Sequence, residues 1–283
     1  MTLSLSDIGD YADPRGRPVI DPELFKQPGT FIIGGGGQSM RANYSNAPAI
    51  TPEPYTVFEM SNRDGKIYPV TDGFFPTMGM DGGSGAWVNR RSVAVYHAAM
   101  RIQRGHAKRV LIVSQNIGGT TAGQWSPAGP YMARQTAMIQ HLVSLGLMPT
   151  VWCDILGQAD VKPDNPMAAT NAQNFSDLMC WRWQVLRGTG LTCPIIMGRG
   201  AYWSFKATYP DRYAMVKAGQ ALSVTDANNG TAGHPAIANV HLGPDDDEWP
   251  SGTGWRVDDV HQDVLMRACE EVRWNTAISA VVP

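Results

Sequence analysis

The 283-residue sequence has no stretch of about 18 or more apolar residues, the length a helix needs to cross a bilayer, so no membrane span is expected. The first residues, Met1-Thr2-Leu3-Ser4-Leu5-Ser6-Asp7, lack a basic segment followed by an apolar run, so no export signal is read there and the cytoplasm is the default compartment. Basic clusters are also missing: 23 Lys and Arg residues are scattered along the chain and, with 25 Asp and Glu, leave a formal charge of -2. That excludes the basic stripe that tracks a phosphate backbone, and neither nucleic acid nor a membrane is expected as a partner. Cysteine is scarce. Cys153, Cys180, Cys193 and Cys269 lie far apart, with none of the close pairs that zinc sites use, so buried free thiols are expected rather than a disulfide framework. The histidines His97, His106, His141, His234 and His241 show no H-E-x-x-H spacing, and no metal site is assigned.

What is present reads as an ordinary globular chain, 43% hydrophobic and 17% charged, long enough for one large domain. Pro14, Pro18, Pro22 and Pro28 punctuate residues 1–29, which are read as an extended lead-in lying on the surface of a domain that runs from 30 to 283. Within that domain, apolar runs of strand length alternate with longer helical patterns. Strands are expected at Phe31–Ile33, Val110–Ser114, Thr150–Ile155, Pro194–Met197 and Ile237–Leu242. Helices are expected at Asn89–Arg104, Tyr131–Leu145, Ala168–Leu186, Arg212–Leu222 and Asp263–Ile278, with Asn89, Gly105 and Gly146 as boundary residues. The alternation predicts a three-layer α/β/α sandwich around a central parallel sheet. In such a sheet ligands bind beyond the carboxyl ends of the strands, which directs attention to the residues just after each apolar run.

After the first strand comes Gly34-Gly35-Gly36-Gly37-Gln38-Ser39, read as a tight glycine turn with a serine at its end. The third glycine of a dinucleotide fingerprint is replaced by Ser39, the Gly-Lys-Ser/Thr of a phosphate loop is missing, and G-x-S-x-G fails because Arg41 follows Met40. A serine in such a turn is a candidate nucleophile if a general base stands nearby. Near the other end of the chain, Asp258 precedes His261 by three residues. That spacing lets a carboxylate accept the Nδ1 proton of an imidazole whose Nε2 is then free to take the serine proton. A surface histidine beside solvated acids is the plainer reading of that pair alone.

Taken together, the motifs resemble the SGNH hydrolases, and within them the carbohydrate acetylesterase and sialate O-acetylesterase branch. Its Gly-Gln-Ser-Asn-Met, Gly-Gly-Thr...Trp, Gln-Gly-Glu-Ser-Asp and D-x-x-H segments correspond in order and approximate spacing to Gly37-Gln38-Ser39-Met40, Gly118-Gly119-Thr120 with Trp125, Gly157-Gln158-Ala159-Asp160, and Asp258 with His261. The resemblance covers nearly the whole chain from Thr30 onward. It implies the flavodoxin-like sandwich already expected and hydrolysis of a carboxylic ester, removing acetyl from a carbohydrate, with no cofactor. It also implies the catalytic set Ser39, His261 and Asp258. Two departures stand out: Met40 directly follows Ser39 where the family has asparagine, and Leu156-Gly157-Gln158 replaces Gln-Gly-Glu.

An oxyanion hole needs donors converging on the carbonyl oxygen as it gains charge. The candidates are the Ser39 amide, the Gly119 amide with Gly85 as its competitor, and Gln158 or a backbone group in its place. Gln38 and Trp125 are candidate substrate contacts, and Trp125, Trp203, Trp249 and Trp255 follow expected strands where a ring can stack on a sugar or simply be half buried. Asp245-Asp246-Asp247-Glu248 lacks calcium-loop spacing and reads as a solvated loop. Two other functions share the same residues: a catalytically impaired carbohydrate-binding or structural module, as in a phage tail, and an acyltransferase using the same triad.

Overall fold

The computed structural model describes residues 17–37, 52–62, 64–70, 93–201, 205–231, 233–249 and 264–282. Seven strands form one sheet: β1 (Thr30–Gly37), β2 (Val57–Met60), β3 (Ile67–Pro69), β4 (Arg109–Asn116), β5 (Val151–Ile155), β6 (Ile195–Arg199) and β7 (Val240–Asp245). The helices are α1 (Val93–Gln103), α2 (Met132–Ser144), α3 (Ala172–Gly188), α4 (Phe205–Thr208), α5 (Pro210–Asn229) and α6 (Val264–Val281).

The apolar runs behave as their composition dictates. β4 and β5 are buried along almost their whole length, as strands covered by helices on both faces must be. Phe31, Ile33, Val110, Ile112, Cys153 and Ile155 pack with α1 and α6 residues such as Val95, Ala98, Trp274 and Ile278. Ile32, Leu111 and Val113 point the other way, onto Met138 and Leu142 of α2, while Trp152, Ile195 and Met197 meet Phe175, Met179 and Trp183 of α3 and Val216 of α5. The period-2 alternation of the strands thus feeds two helical layers.

Local signals set several boundaries. The α2 helix ends at Gly146, whose φ of +68° goes with Leu147 N–H donating to Leu142 O and Gly146 N–H to Val143 O. Asn171 caps α3 by accepting from Asn174 N at 2.8 Å, and Pro210 opens α5.

Three details differ from expectation. The central sheet is parallel as expected except at one edge: its order is β3-β2-β4-β1-β5-β6-β7, and β3 pairs antiparallel to β2. Neither β2 nor β3 was expected, because Glu59 interrupts one apolar run and Pro69 ends the other. Asp64-Gly65 between them, with Gly65 at φ +70°, was the available hairpin signal. Secondly, the glycine run is strand rather than turn through Gly37, pairing with β4 on one side and β5 on the other. Lastly, the lead-in is not uniformly extended. Pro22–Lys26 form a 3-10 turn capped by Asp21, and Phe25 is buried edge-on against Phe58 at 5.0 Å.

Why a strand tolerates four glycines follows from its neighbours. A Cβ at Gly34 would run into the Trp152 ring, one at Gly36 into Gln135 Nε2 and Arg182 Nη2, and one at Gly37, at φ +153°, into the Ile155 carbonyl. Large side chains of β5, α2 and α3 occupy the space that β1 side chains would otherwise need.

Candidate active site

The site is built where the strand order reverses. From β1 the chain goes to β2, β3 and β4 on one side of it, then crosses to β5, β6 and β7 on the other, so the crevice at the carboxyl end of β1 is the switch point of the sheet. β1 ends there at Gly37, in register with Asn116 of β4 and Ile155 of β5. Gln38 and Ser39 follow directly in sequence, and they, with Gly85, Trp203, Trp255, Asp258 and His261, lie outside the described residues.

The described rim is polar and buried. Ile117 N–H donates to Gly37 O at 3.1 Å, holding the start of the loop after β4 against the end of β1. Asn116 is fully buried and donates through Nδ2 to Ser114 Oγ, while Asn62, after β2, donates to Ser114 O at 2.9 Å. Asn116 and Asn62 were not singled out from the sequence, although Asn116 stands just after an expected strand.

Gly119 lies in this loop at φ +73° with open space around its α-carbon, and it is exposed. The following residues are held tightly. Thr120 Oγ1 donates to Ile117 O at 2.8 Å and accepts Trp125 Nε1–H at 2.8 Å. Trp125 is therefore not a sugar platform. It is fully buried, 5.3 Å from the Tyr131 ring and 5.2 Å from the Arg182 guanidinium, because its indole N–H is used to brace the loop from inside. Trp249 is likewise buried, under the Arg273 guanidinium.

Gln158 follows β5 and is only 1% exposed. A Cβ at Gly200, after β6, would lie 3.0 Å from Gln158 Nε2 and 3.7 Å from Asp246 Oδ2, so the ends of β5, β6 and β7 converge on one small region. Gln220 of α5 ties two of these ends together, donating to Leu156 O and Gly200 O at 2.8 Å each. The acidic segment is not a solvated loop. Asp246 and Asp247 are buried in a 3-10 turn, where Asp247 accepts Ala201 N–H, and Lys217 offsets the charge of Asp245 and Asp247.

Beneath the crevice, Asp154 of β5 accepts from Trp152 Nε1, Trp183 Nε1 and the Arg182 guanidinium, all fully buried or nearly so. Asp160, two residues after Gln158, is also fully buried, and desolvation pushes its carboxyl up to about 6 against the lowering effect of its hydrogen bonds and Arg212. The four cysteines are free, and Cys153, Cys180 and Cys193 are buried as expected; burial raises Cys180 to about 11 and Cys193 to about 12. Among the described residues no group of three or more His, Cys, Asp or Glu could hold a metal ion, and no helix is long and apolar enough to cross a membrane.

Solved structures share this architecture. The fold is that of the SGNH hydrolases. A protein of Arabidopsis thaliana superposes with a TM-score of 0.61 at 14% identity, over 91% of this chain and 100% of that one. An acetyl xylan esterase of Geobacillus stearothermophilus gives 0.51 at 15% identity over 88% and 94%. A family two carbohydrate esterase of Clostridium thermocellum, in complex with cellohexaose, gives 0.53 at 13% identity over 88% of this chain and 64% of that one. No protein-family model matches the sequence, and comparison with curated proteins finds no match. At these identities the likeness establishes the SGNH fold and leaves the chemistry to the residues.

Proposed function

We propose that the chain is a serine esterase that hydrolyses a carboxylic ester, removing acetyl groups from a carbohydrate through an acyl-enzyme on Ser39. The observation that carries the reading is the end of β1. Its last residue, Gly37, sits at the switch point of the sheet, two residues before Ser39, with the buried amide of Asn116 alongside. A hydroxyl delivered there meets the region where such folds bind ligands.

The chemistry follows the usual division of labour for a serine nucleophile. Ser39 Oγ bonds to the ester carbon while His261 takes its proton, and Asp258 orients the imidazole. His261 then returns the proton to the departing alcohol; water, deprotonated by the same His261, attacks the acyl carbon, and the acid leaves as His261 hands the proton back to Ser39 Oγ. The Ser39 and Gly119 amides and the Gln158 side chain are the assigned donors to the oxyanion. Among structural neighbours, an acetyl xylan esterase and a carbohydrate esterase bound to cellohexaose support acetyl as the acyl group and a carbohydrate as the alcohol.

The test is hydrolysis of p-nitrophenyl acetate and of an acetylated oligosaccharide by the wild type and Ser39→Ala. The variant is expected to lose on the order of 10⁴-fold or more in kcat, with the fold intact by circular dichroism. Unchanged hydrolysis in Ser39→Ala ends the serine-nucleophile reading. An excess of transferred over hydrolysed acetyl with added alcohols would reassign the chain as an acyltransferase.

A further inference from the structure

We propose that Asp160 is a positioning residue for ester hydrolysis, its buried carboxylate fixing the loop that carries Gly119 against the turn that carries Gln158. The inference rests on the esterase reading above, since those two residues are its assigned oxyanion donors.

The geometry is that of a hub between two loops. Asp160 N–H donates to Gly157 O at 2.9 Å, closing the turn that starts at Gln158. One carboxylate oxygen, Oδ2, accepts the N–H of Ala122, three residues after Gly119, at 2.9 Å. The other, Oδ1, accepts the N–H of Ala169 at 2.8 Å, drawing in the segment that leads to α3. Arg212 of α5 reaches the Asp160 carbonyl from behind with Nη2 at 2.6 Å, and it is the charged side chain acting on the carboxylate.

A carboxylate suits this place because it alone offers an acceptor on each of two oxygens and no donor. An asparagine would keep one acceptor and turn an NH₂ group toward a backbone N–H. Keeping the charge is costly in a fully buried spot, which is why the carboxyl is pushed up to about 6. Such costs gather where function needs the group. The two loops also have a neutral tie, Thr121 Oγ1 donating to Pro166 O at 2.8 Å, and Gly123 packs so closely on the Met167 carbonyl that no Cβ fits. Folding of this region is thus supported apart from Asp160, while the fine placement of the donors is not. Oxyanion donors must sit within a fraction of an ångström of the developing charge, so loosening a donor loop is read in kcat rather than in substrate affinity.

The experiment compares wild type, Asp160→Asn and Thr121→Val on p-nitrophenyl acetate, with kcat expressed per Ser39 labelled to completion by a fluorophosphonate. Asp160→Asn is expected to lose about 10- to 100-fold in kcat with KM within about threefold. Thr121→Val, which cuts the other tie, is expected to stay within about threefold in both while losing stability. If Asp160→Asn keeps kcat per labelled serine within threefold of wild type, the assignment is overturned and the esterase reading stands. If the wild type neither turns over nor labels, both fall. Should Asp160→Asn fail to fold, the wild type still decides by NMR. The Ala122 and Ala169 amide protons are expected to shift together, with one common midpoint, as the carboxylate that accepts both is protonated, and separate midpoints for the two overturn the hub.

Discussion

Arg182 and Asp154 form an ion pair that is fully buried, with Arg182 Nε and Nη2 donating to Asp154 Oδ2 and Oδ1 at 3.2 and 2.9 Å, directly behind Gly36 of β1. The Trp152 and Trp183 indoles complete the acceptor side at 2.8 Å each. Removing one partner leaves an uncompensated buried charge, which costs far more than the pair itself contributes. Arg182→Met is therefore expected to destabilise the protein by about 3–5 kcal/mol, measured by urea unfolding.

The same geometry makes Gly36 a packing residue. Gly36→Ala would press a methyl into Gln135 and Arg182, and overpacking of this kind costs about 1–3 kcal/mol. At Gly188, the last residue of α3, an added methyl would meet nothing within 4 Å, and φ is not positive. Gly188→Ala is expected to raise stability by up to about 1 kcal/mol, since alanine loses less conformational entropy in a helix. Thermal unfolding of both variants gives opposite signs if β1 is shaped by its neighbours; equal signs would refute that account.

Trp125 separates bracing from sugar recognition. Trp125→Phe removes the hydrogen bond to Thr120 Oγ1 and is expected to cost about 1–3 kcal/mol of stability. KM for an acetylated oligosaccharide relative to p-nitrophenyl acetate should stay unchanged. A selective rise in KM for the oligosaccharide would restore the stacking role.

Asp160 couples stability to pH with an unusual sign for a carboxylate. Its folded value, about 6, lies above its ordinary value of 3.8, so between these limits the folded state binds the proton and the unfolded state does not. Its contribution therefore favours the folded state increasingly as pH falls from about 6 to about 4, and is unfavourable above that window. Asp160→Asn should flatten this part of the stability profile in urea titrations between pH 4 and 7.

Thiol reactivity should follow burial. Cys153, Cys180 and Cys193 are enclosed, and Cys180 and Cys193 are held well above the usual thiol range, whereas Cys269 is only partly buried. Iodoacetamide is expected to modify Cys269 first, with the other three reacting only in denaturant, as mass spectrometry of the peptides would show.

Much of the fold was legible because apolar periodicity is a local property. The runs Val110–Val113 and Val151–Ile155 could only be buried strands, and Gly146 ended a helix where its φ is positive. The β2–β3 hairpin was legible only at its Asp64-Gly65 turn, since Glu59 breaks the apolar run of β2 and its partner Arg17, which pairs with it at 2.8 Å, is 42 residues away. The triad candidates Ser39, Asp258 and His261 are legible as motifs and lie outside the described residues, so their reading still stands on sequence.

By itself the sequence determined the layering and the order of the motifs, because each depends on residue type and short spacing. Only the tertiary structure decided what the glycines, Trp125 and the acidic residues are for. Gly34 and Gly36 answer to Trp152, Gln135 and Arg182, Trp125 answers to Thr120 and Arg182, and Asp160 answers to the amides of Ala122 and Ala169. Each of these roles is set by a neighbour brought close by sheet register and helix packing. A side chain's cost or use in a buried site depends on those neighbours as much as on its own identity.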